Sequence, residues 1–265
     1  MNNNHKNTHS FVVLAYKDSP YLEDCLRSLI SQSIPSHIMV TTSTPTDGQR
    51  ALADKYGIPY IVNNEHKDIA TDWNFALDAV DSQWVTLAHQ DDIYAADYTE
   101  SMLAAIDAPG EVLIRFSNYS QLSESGVESK GLLVQVKRII LAVFYPFSSV
   151  LKWNFLKRWS LAFGCPICCP TVMYNKLSLR TFKFDESFQV DLDWRCWIEL
   201  AEYDGTFVYI KKDLLQHRIH DNATTNLAID SGLRRAEDER CFKLLWPRFI
   251  VPFICRFYAL SYKTG

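Results

Sequence analysis

Two adjacent carboxylates follow an apolar stretch of the sequence and are the first candidates for chemistry. The segment Trp84–Ala88 has the composition of a buried strand. Asp91 and Asp92 follow it after His89 and Gln90. Neighbouring carboxylates at a strand end repel each other unless something compensates, and a divalent cation does so. A metal held there can bind a diphosphate and stabilise it as a leaving group. The alternative is that Asp92 caps the next helix and Asp91 is solvated.

A second acidic group occurs about a hundred residues later in the chain. Asp191 and Asp193 lie at the start of a predicted amphipathic helix whose apolar residues include Trp194 and Trp197. A carboxylate held beside a cleft can act as a general base on a hydroxyl. The alternative is an aspartate that caps the helix and is favoured by its dipole.

A third group combines a cation with an imidazole. Arg218 and His220 alternate along a predicted strand, so they share one face, where they can contact phosphate and metal. The alternative is a solvated edge strand.

Strand and helix signals alternate through the first half of the chain. Apolar stretches at 11–16, 38–42, 58–62 and 84–88 are separated by segments with helical periodicity, such as Ile69–Val80. This pattern predicts a mostly parallel sheet flanked by helices. Ligands bind beyond the carboxyl ends of such strands, where Tyr16–Asp18, Thr41–Ser43 and His89–Asp92 fall.

The second half is less regular. We expect a strand at 112–119, a polar loop at 120–130, a helical insertion from Gly131, a helix at 192–203, two short strands at 207–210 and 214–219, and a helical tail from about 229. These patterns divide the chain into segments 1–118, 119–226 and 227–265, of which the first two are expected to share one core.

Composition excludes several classes of protein. A net charge of −4 over 265 residues does not suggest a general nucleic-acid binder. The polar start Met1–Ser10 lacks the apolar core of a signal peptide, so the seven cysteines are interpreted as reduced thiols of a cytosolic protein. Cys165, Cys168 and Cys169 lack a second cysteine pair at zinc-site spacing.

Two apolar stretches are too short or too interrupted to span a membrane. Ile139–Leu151 contains a proline, and Leu244–Leu260 contains two arginines and two prolines. Basic residues alternate with aromatic ones there, as in helices that lie on a membrane surface. We therefore expect a cytoplasmic protein that contacts the inner membrane face through Lys137–Trp159 or the tail after Leu244.

Taken in order over residues 10 to 226, these pieces resemble the family 2 inverting glycosyltransferases with the A-type fold, of the type that assembles bacterial glycans or lipid-linked saccharides. Val12–Leu22 resembles the first strand, loop and helix of the family, and Ile69–Asn74 the helix that frames the nucleotide. His89–Asp92 is similar to the Asp-x-Asp metal motif, Asp193-Trp194 to the acidic motif with the base, and Arg218 with His220 to the late Arg-x-His element.

The resemblance implies transfer of a sugar, a hexosyl group in particular, from a nucleoside-diphosphate sugar to a saccharide or lipid-linked hydroxyl in polysaccharide biosynthesis, with UDP-sugars favoured. Asp193 is the implied base, with Asp191 as competitor, and Asp91, His89 and His220 are the implied ligands of Mn²⁺ or Mg²⁺. The first segment would bind the nucleotide and the second the acceptor. The implied nucleotide-binding residues are Ala15, Tyr16, Asp18, Thr42, Asp72, Asn74, Gln90 and Arg218.

Two departures from the family pattern affect these assignments. Thr41-Thr42-Ser43 stands where many members have acidic residues that contact the nucleoside, so Asp72 or a backbone group is expected to substitute. His89 stands where the first aspartate of the metal motif usually lies. Two other functions stay open: a nucleotidyltransferase of similar fold, disfavoured because Ala15–Pro20 has no glycine, and a non-catalytic protein that binds a nucleotide sugar or tethers an assembly to a membrane.

Overall fold

A computed structural model describes residues 8–104, 108–123, 126–129, 131–146, 149–220 and 232–259. Strands and helices alternate through the first third, as the sequence predicts. The elements there are β1 (His9–Ala15), α1 (Leu22–Ile30), β2 (His37–Thr42), α2 (Asp47–Tyr56), β3 (Tyr60–Val62), α3 (Ile69–Asp78) and β4 (Trp84–His89).

The rest of the chain adds strands to the same sheet and helices around it. These elements are β5 (Ile93–Tyr94), α4 (Tyr98–Leu103), β6 (Val112–Ser123), β7 (Gly126–Glu128), α5 (Leu132–Phe144), β8 (Val150–Leu151), α6 (Asn154–Ser160), a 3₁₀ turn (Cys169–Thr171), β9 (Met173–Asn175), α7 (Leu192–Leu200), β10 (Thr206–Arg218), α8 (Leu233–Leu245) and α9 (Val251–Tyr258).

The central sheet has the order β3-β2-β1-β4-β9-β6-β10-β5, with β7 paired to β6 and β8 to β10. The pairs β1–β2, β2–β3, β1–β4 and β6–β10 are parallel, and β9 runs antiparallel between β4 and β6. This confirms the predicted α/β class, a mostly parallel sheet flanked by helices. In the register, Ala15 pairs with Thr42 and Leu14 with His89, so β1, β2 and β4 end at one level.

Burial explains why the sequences of the first strands are almost entirely apolar. β1 is buried on both faces, which leaves little room for polar side chains. Side chains from all three predicted segments meet in one core cluster, for example Val12, Trp197 and Phe242. The expectation of a shared core is therefore confirmed, and the expected boundary between residues 118 and 119 falls inside β6.

Local signals fix the helices that border the site. Asp68 caps α3 by accepting a bond from the Thr71 amide at 2.8 Å, in a reciprocal capping box. Thr46 caps α2, which ends at Gly57 in the left-handed conformation with φ of 62°. α1 begins at Leu22 without a side-chain cap.

Two predictions for the second half were wrong in detail. β10 is one strand rather than two, because bulges near Asp213 let it pass the polar residues that suggested a break. The expected loop at 120–130 begins as strand, since β6 runs to Ser123 and pairs with β7. None of the described helices is both long and apolar enough to cross a membrane.

Candidate active site

The end of β4 brings three potential metal ligands together. One atom each of His89, Asp91 and Asp92 lie within 4.8 Å of one another. Asp92 is completely buried, and its Oδ1 lies 2.9 Å from both His217 Nδ1 and the Arg218 amide nitrogen. Within the described part of the chain, Asp92 Oδ2 and His89 Nε2 are buried without a hydrogen-bond partner. Buried polar atoms without partners are costly, so this set fits a divalent cation.

Asp91 is held as an anion by the histidines around it. Its Oδ2 lies 3.0 Å from His220 Nε2, and its carbonyl accepts a bond of 2.9 Å from Arg218 Nε. Burial tends to raise the pKa of Asp91, but His89, His220 and His217 outweigh burial and hold the pKa below its ordinary value. The carboxylate is therefore charged at neutral pH.

The end of β10 reaches this cluster because of strand pairing. Gln216 pairs with Ile93, directly after Asp92, so the following residues run past the acidic pair. The Arg218 guanidinium lies 4.2 Å from the centre of the Tyr21 ring, and the His220 ring lies 5.4 Å from the same ring. The structure thus brings Arg218 and His220 together with Asp91, as the alternation in the sequence suggested.

A rigid loop follows β1 on the predicted nucleotide side. The Gln90 side chain bonds both backbone groups of Tyr16, at 3.1 Å to the amide nitrogen and 2.9 Å to the carbonyl oxygen. Lys17 has a φ of 52°, and Gln49 Nε2 donates to its carbonyl at 2.7 Å. The Thr46 hydroxyl donates to Asp18 at 2.5 Å. These bonds leave the Tyr16 ring half exposed above the ends of the strands.

Asp72 lies beside the polar end of β2. Its carboxylate accepts bonds from Ser43 Oγ at 2.7 Å and Asn63 Nδ2 at 2.8 Å, and lies 2.9 Å from His66 Nδ1. A carboxylate thus does lie next to Thr42–Ser43, but it comes from α3. Thr42 and Ala15 are buried at their strand ends.

Asn74 is committed to a structural contact. Its amide nitrogen donates to the Phe184 carbonyl at 3.1 Å and its amide oxygen accepts from the Phe184 amide at 2.7 Å. These bonds tie α3 to the segment that leads to Asp191. The structure therefore does not place this side chain with the nucleotide-side residues Tyr16 and Asp18.

Asp193 lies half-buried in the first turn of α7. Its Oδ1 accepts a bond from the Trp194 amide at 2.7 Å, and its Oδ2 lies 3.9 Å from Cys165 Sγ. Burial raises the pKa of Asp193, although Arg234, the Trp194 amide, Lys137 and His89 pull it down. The charge of His89, one of the potential metal ligands, thus acts on the Asp193 carboxylate.

Asp191 faces a different environment from Asp193. It is completely buried, and its Oδ1 lies 3.1 Å from Arg234 Nε, which also lies 3.5 Å from Asp238 Oδ1. Burial raises the pKa of Asp191 to about 9, with Arg234 opposing and Asp238 and Asp193 adding to the rise. The carboxylate is thus directed toward α8.

Two residues near Asp193 were missed by sequence reasoning. Glu237 of α8 is buried and accepts backbone bonds from Gln189 at 2.9 Å, Val190 at 2.8 Å and Asp191 at 2.9 Å. No motif marks this glutamate within a helical tail. Lys137 was interpreted as a surface residue, but its ammonium lies 5.6 Å from the centre of the Tyr119 ring and its charge acts on Asp193.

The cysteines near Asp193 are buried, unpaired thiols. Burial raises the pKa of Cys165, Cys168 and Cys169, which keeps them protonated. Among the described residues, the group of potential metal ligands at the end of β4 contains no cysteine.

Solved structures with a similar fold are known, although no curated protein sequence matches the chain. S. aureus TarS is 15% identical at a TM-score of 0.59, and the alignment covers 87% of this chain and 39% of the TarS chain. The TarS fragment 1–349 is 12% identical at a TM-score of 0.60, with coverages of 92% and 72%. The mannosyltransferase PcManGT from Pyrobaculum calidifontis, in complex with GDP-Man and Mn²⁺, is 14% identical at a TM-score of 0.59, with coverages of 98% and 76%.

At these identities the structural likeness concerns the fold alone, which is the A-type glycosyltransferase fold expected from the sequence. The sequence itself matches the family model described as Glycosyl transferase family 2 over residues 10–175. This match covers more than half of the chain, including β1, α3 and the His89–Asp92 cluster. The chain therefore belongs to glycosyl transferase family 2.

Proposed function

We propose that the protein transfers a sugar, with inversion, from a nucleoside-diphosphate sugar to a hydroxyl of a saccharide or lipid-linked acceptor. The observation that carries this proposal is the cluster of His89, Asp91 and Asp92, in which His89 also acts electrostatically on Asp193. UDP-sugars are the favoured donors, and a hexosyl group is the favoured group for transfer. The TarS fragment has been solved with UDP and with UDP-GlcNAc, and PcManGT with GDP-Man, so the test includes both bases.

The metal-side residues have separate tasks in this proposal. A bound Mn²⁺ or Mg²⁺ supplies positive charge for the diphosphate that leaves. His89, Asp91 and Asp92 would hold the ion, and His220 orients the Asp91 carboxylate through their contact of 3.0 Å. Arg218 adds a fixed positive charge beside the cluster and positions Asp91 through its carbonyl.

Asp193 is the proposed general base. Its raised pKa makes it a better proton acceptor than an ordinary aspartate, provided that it is ionised when the acceptor binds. Asp191, the competitor, is the weaker candidate because Arg234 and α8 engage its carboxylate. An inverting displacement needs the base and the leaving group on opposite faces of the sugar, so we place the acceptor between Asp193 and the segment Gly164–Thr171.

The nucleoside is assigned to the loop after β1 and to the start of α3. Tyr16 offers an exposed ring, and Asp18 and Asp72 offer carboxylates at the level where β1 and β2 end. Ala15, Thr42 and Gln90 line or brace this pocket in the proposal. Segment 1–118 is the nucleotide-sugar half, segment 119–226 the acceptor half, and 227–265 the tail. We place the reaction in the cytoplasm, in polysaccharide assembly.

A donor panel tests this function. Thermal shifts are measured with UDP-, GDP- and TDP-sugars, each with Mn²⁺ and with EDTA, and sugar release is followed for every donor that stabilises the protein. We expect stabilisation by one nucleotide class, dependent on Mn²⁺, together with slow metal-dependent hydrolysis.

Each alternative function predicts a different pattern in the same panel. Stabilisation without hydrolysis, or without transfer to any hydroxyl, would favour a non-catalytic binding protein. A nucleotidyltransferase would be indicated if the protein, given a nucleoside triphosphate and a sugar phosphate in an added assay, released pyrophosphate. No stabilisation by any donor would contradict the proposal.

A further inference from the structure

Two distant segments of this acidic protein contain no acidic residue. Residues 131–159 contain Lys137, Arg138, Lys152, Lys157 and Arg158, and residues 243–259 contain Lys243, Arg248 and Arg256, all without an aspartate or glutamate, although the whole chain carries a net charge of −4. Lys152, Arg248 and Arg256 are exposed, and none of them pairs with a carboxylate of the described residues. Lys152, Arg248 and Arg256 therefore carry positive charge that no described carboxylate neutralises.

The same segments expose apolar side chains in regular stripes. Phe249, Phe253 and Phe257 recur every four residues along α9 and the turn before it, with 75%, 69% and 72% of their surface exposed. Leu132, Val136, Ile139 and Val143 form a comparable stripe on α5, each at least 45% exposed. Buried side chains on the other faces of α5 and α9 join them to the core. Exposed apolar stripes of this kind mark a surface that contacts another molecule or a membrane.

Ring contacts join the two segments into one surface. Trp246, which follows α8, lies 5.1 Å from Trp159 of α6 and 5.7 Å from Phe163, measured between ring centres. Arg158 Nη2 donates to the Leu244 carbonyl at 2.6 Å. α5 packs against α6, so the helix that carries the second stripe adjoins this surface. We call it the basic–apolar face.

We propose that the basic–apolar face docks on an anionic lipid bilayer. Phenylalanines and aliphatic residues can enter the boundary between headgroups and acyl chains, while unpaired arginines and lysines contact lipid phosphates. A second copy of the chain is a poorer occupant, because a two-fold interface would bring like charges together, and carboxylates at this face such as Glu202 and Glu239 already pair with Arg158 and Lys243. The assignment does not depend on whether the site transfers sugar.

Docking on this face would fix the height of the active site above the bilayer. On the inner side of α9, the Tyr258 ring lies 6.0 Å from that of Trp194, the neighbour of Asp193. On the inner side of α5, Lys137 acts on the same aspartate. The inner sides of both membrane-facing helices thus lie next to the proposed acceptor side. This arrangement would place the site close to an acceptor that is anchored in the lipid surface.

Vesicle flotation of the full chain tests this inference. Phosphatidylcholine vesicles are compared with vesicles of phosphatidylcholine and phosphatidylglycerol, at low and high salt. We expect binding to the anionic vesicles that weakens with salt. The variant F249S/F253S/F257S should bind at least about 10-fold more weakly, because each ring contributes buried apolar area. The variant K152Q/R248Q/R256Q should lose the preference for anionic lipid.

A matched control keeps the test specific. The variant I30S/I61S/L177S removes exposed apolar residues elsewhere on the surface and should bind like the parent. Circular dichroism and UDP binding should be unchanged in every variant, which separates this surface from the active site. Absence of vesicle binding by the parent, or equal binding by the phenylalanine variant, would overturn the proposal. A parent dimer that the phenylalanine substitutions dissociate, without vesicle binding, would instead assign the face to a second copy.

Discussion

The two sides of the candidate site are built in different ways. On the metal side, His89, Asp91 and Asp92 all come from the end of one strand, β4, and the end of β10 reaches them through its pairing with β5. On the base side, the charges of Arg234 on α8 and Lys137 on α5 act on Asp193, and Glu237 of α8 accepts bonds from the backbone just before it. A short motif can encode the first arrangement, whereas the second depends on tertiary packing.

This difference extends to the electrostatics of the carboxylates. On the metal side, histidines lower the pKa of Asp91, so the site is prepared to hold a cation. On the base side, burial raises the pKa of Asp193 and Asp191, so the site is prepared to accept protons. Opposite shifts in two groups of aspartates are what the proposed division into a metal side and a base side requires.

The largest expected effect is on the base. Asp193→Asn should preserve the fold and donor affinity but reduce single-turnover transfer by about 10² to 10⁴, the usual contribution of a general base. Asp191→Asn serves as the comparison, because its carboxylate is bound to Arg234, and it should retain most of the chemistry. The measurement is rapid-quench transfer with saturating donor. Collapse in the Asp191 variant alone would exchange the two roles.

Glu237 is expected to position the base. Glu237→Gln replaces a carboxylate that accepts three backbone bonds with an amide that has a single acceptor oxygen. We expect kcat to fall about 10-fold, because the start of α7 shifts, with little change in the KM for donor. Steady-state kinetics on both substrates provide the readout.

Glu239→Gln is the matched control for this experiment. Glu239 lies on the same helix and, among the described residues, forms a surface ion pair with Lys243 at 2.7 Å. A fall in stability for Glu237→Gln with unchanged kcat would show that Glu237 is structural and does not position Asp193.

The N-terminal half of the site was largely predictable because its signals are local. Apolar strands followed by polar residues gave the strand ends, and the positions of α3 and the His89–Asp92 cluster were confirmed. The partners of Asp191 were not predictable. Arg234 and Glu237 contact it from more than 40 residues away, and nothing in the local sequence marks either residue. β10 was divided in two because bulges have no reliable local signature.

Asp72 offers a smaller test on the nucleotide side. Asp72→Asn should raise the KM for donor by roughly 3- to 10-fold, the usual range for one lost hydrogen bond, and leave kcat unchanged. Asp78→Asn, on the same helix and exposed beside Lys183, is the control. An unchanged KM would remove Asp72 from the nucleoside pocket and leave the residue as a brace for Ser43 and Asn63.

The smallest expected effect concerns pH and stability. The pKa of Asp191 is raised to about 9 in the folded protein, so its stabilising contribution is complete below the ordinary value of 3.8 and is lost as pH rises through 9. The parent should therefore lose several degrees more in Tm between pH 7 and pH 9.5 than Asp191→Asn, because a pKa of about 9 implies a loss of roughly 2–3 kcal/mol over that range. Equal losses in both proteins would contradict the buried, protonated state.

The central claim is that the end of β4 holds a metal for a nucleoside diphosphate, and calorimetry of UDP binding tests it most directly. The parent should bind UDP in the presence of Mn²⁺ and lose that affinity with EDTA. Asp91→Ala should weaken Mn²⁺-dependent binding by at least about 10-fold, since it removes a ligand rather than a supporting contact. Asp54→Ala, an exposed change on α2, should bind like the parent. Equal Mn²⁺-dependent affinity in the parent and in Asp91→Ala would contradict the claim.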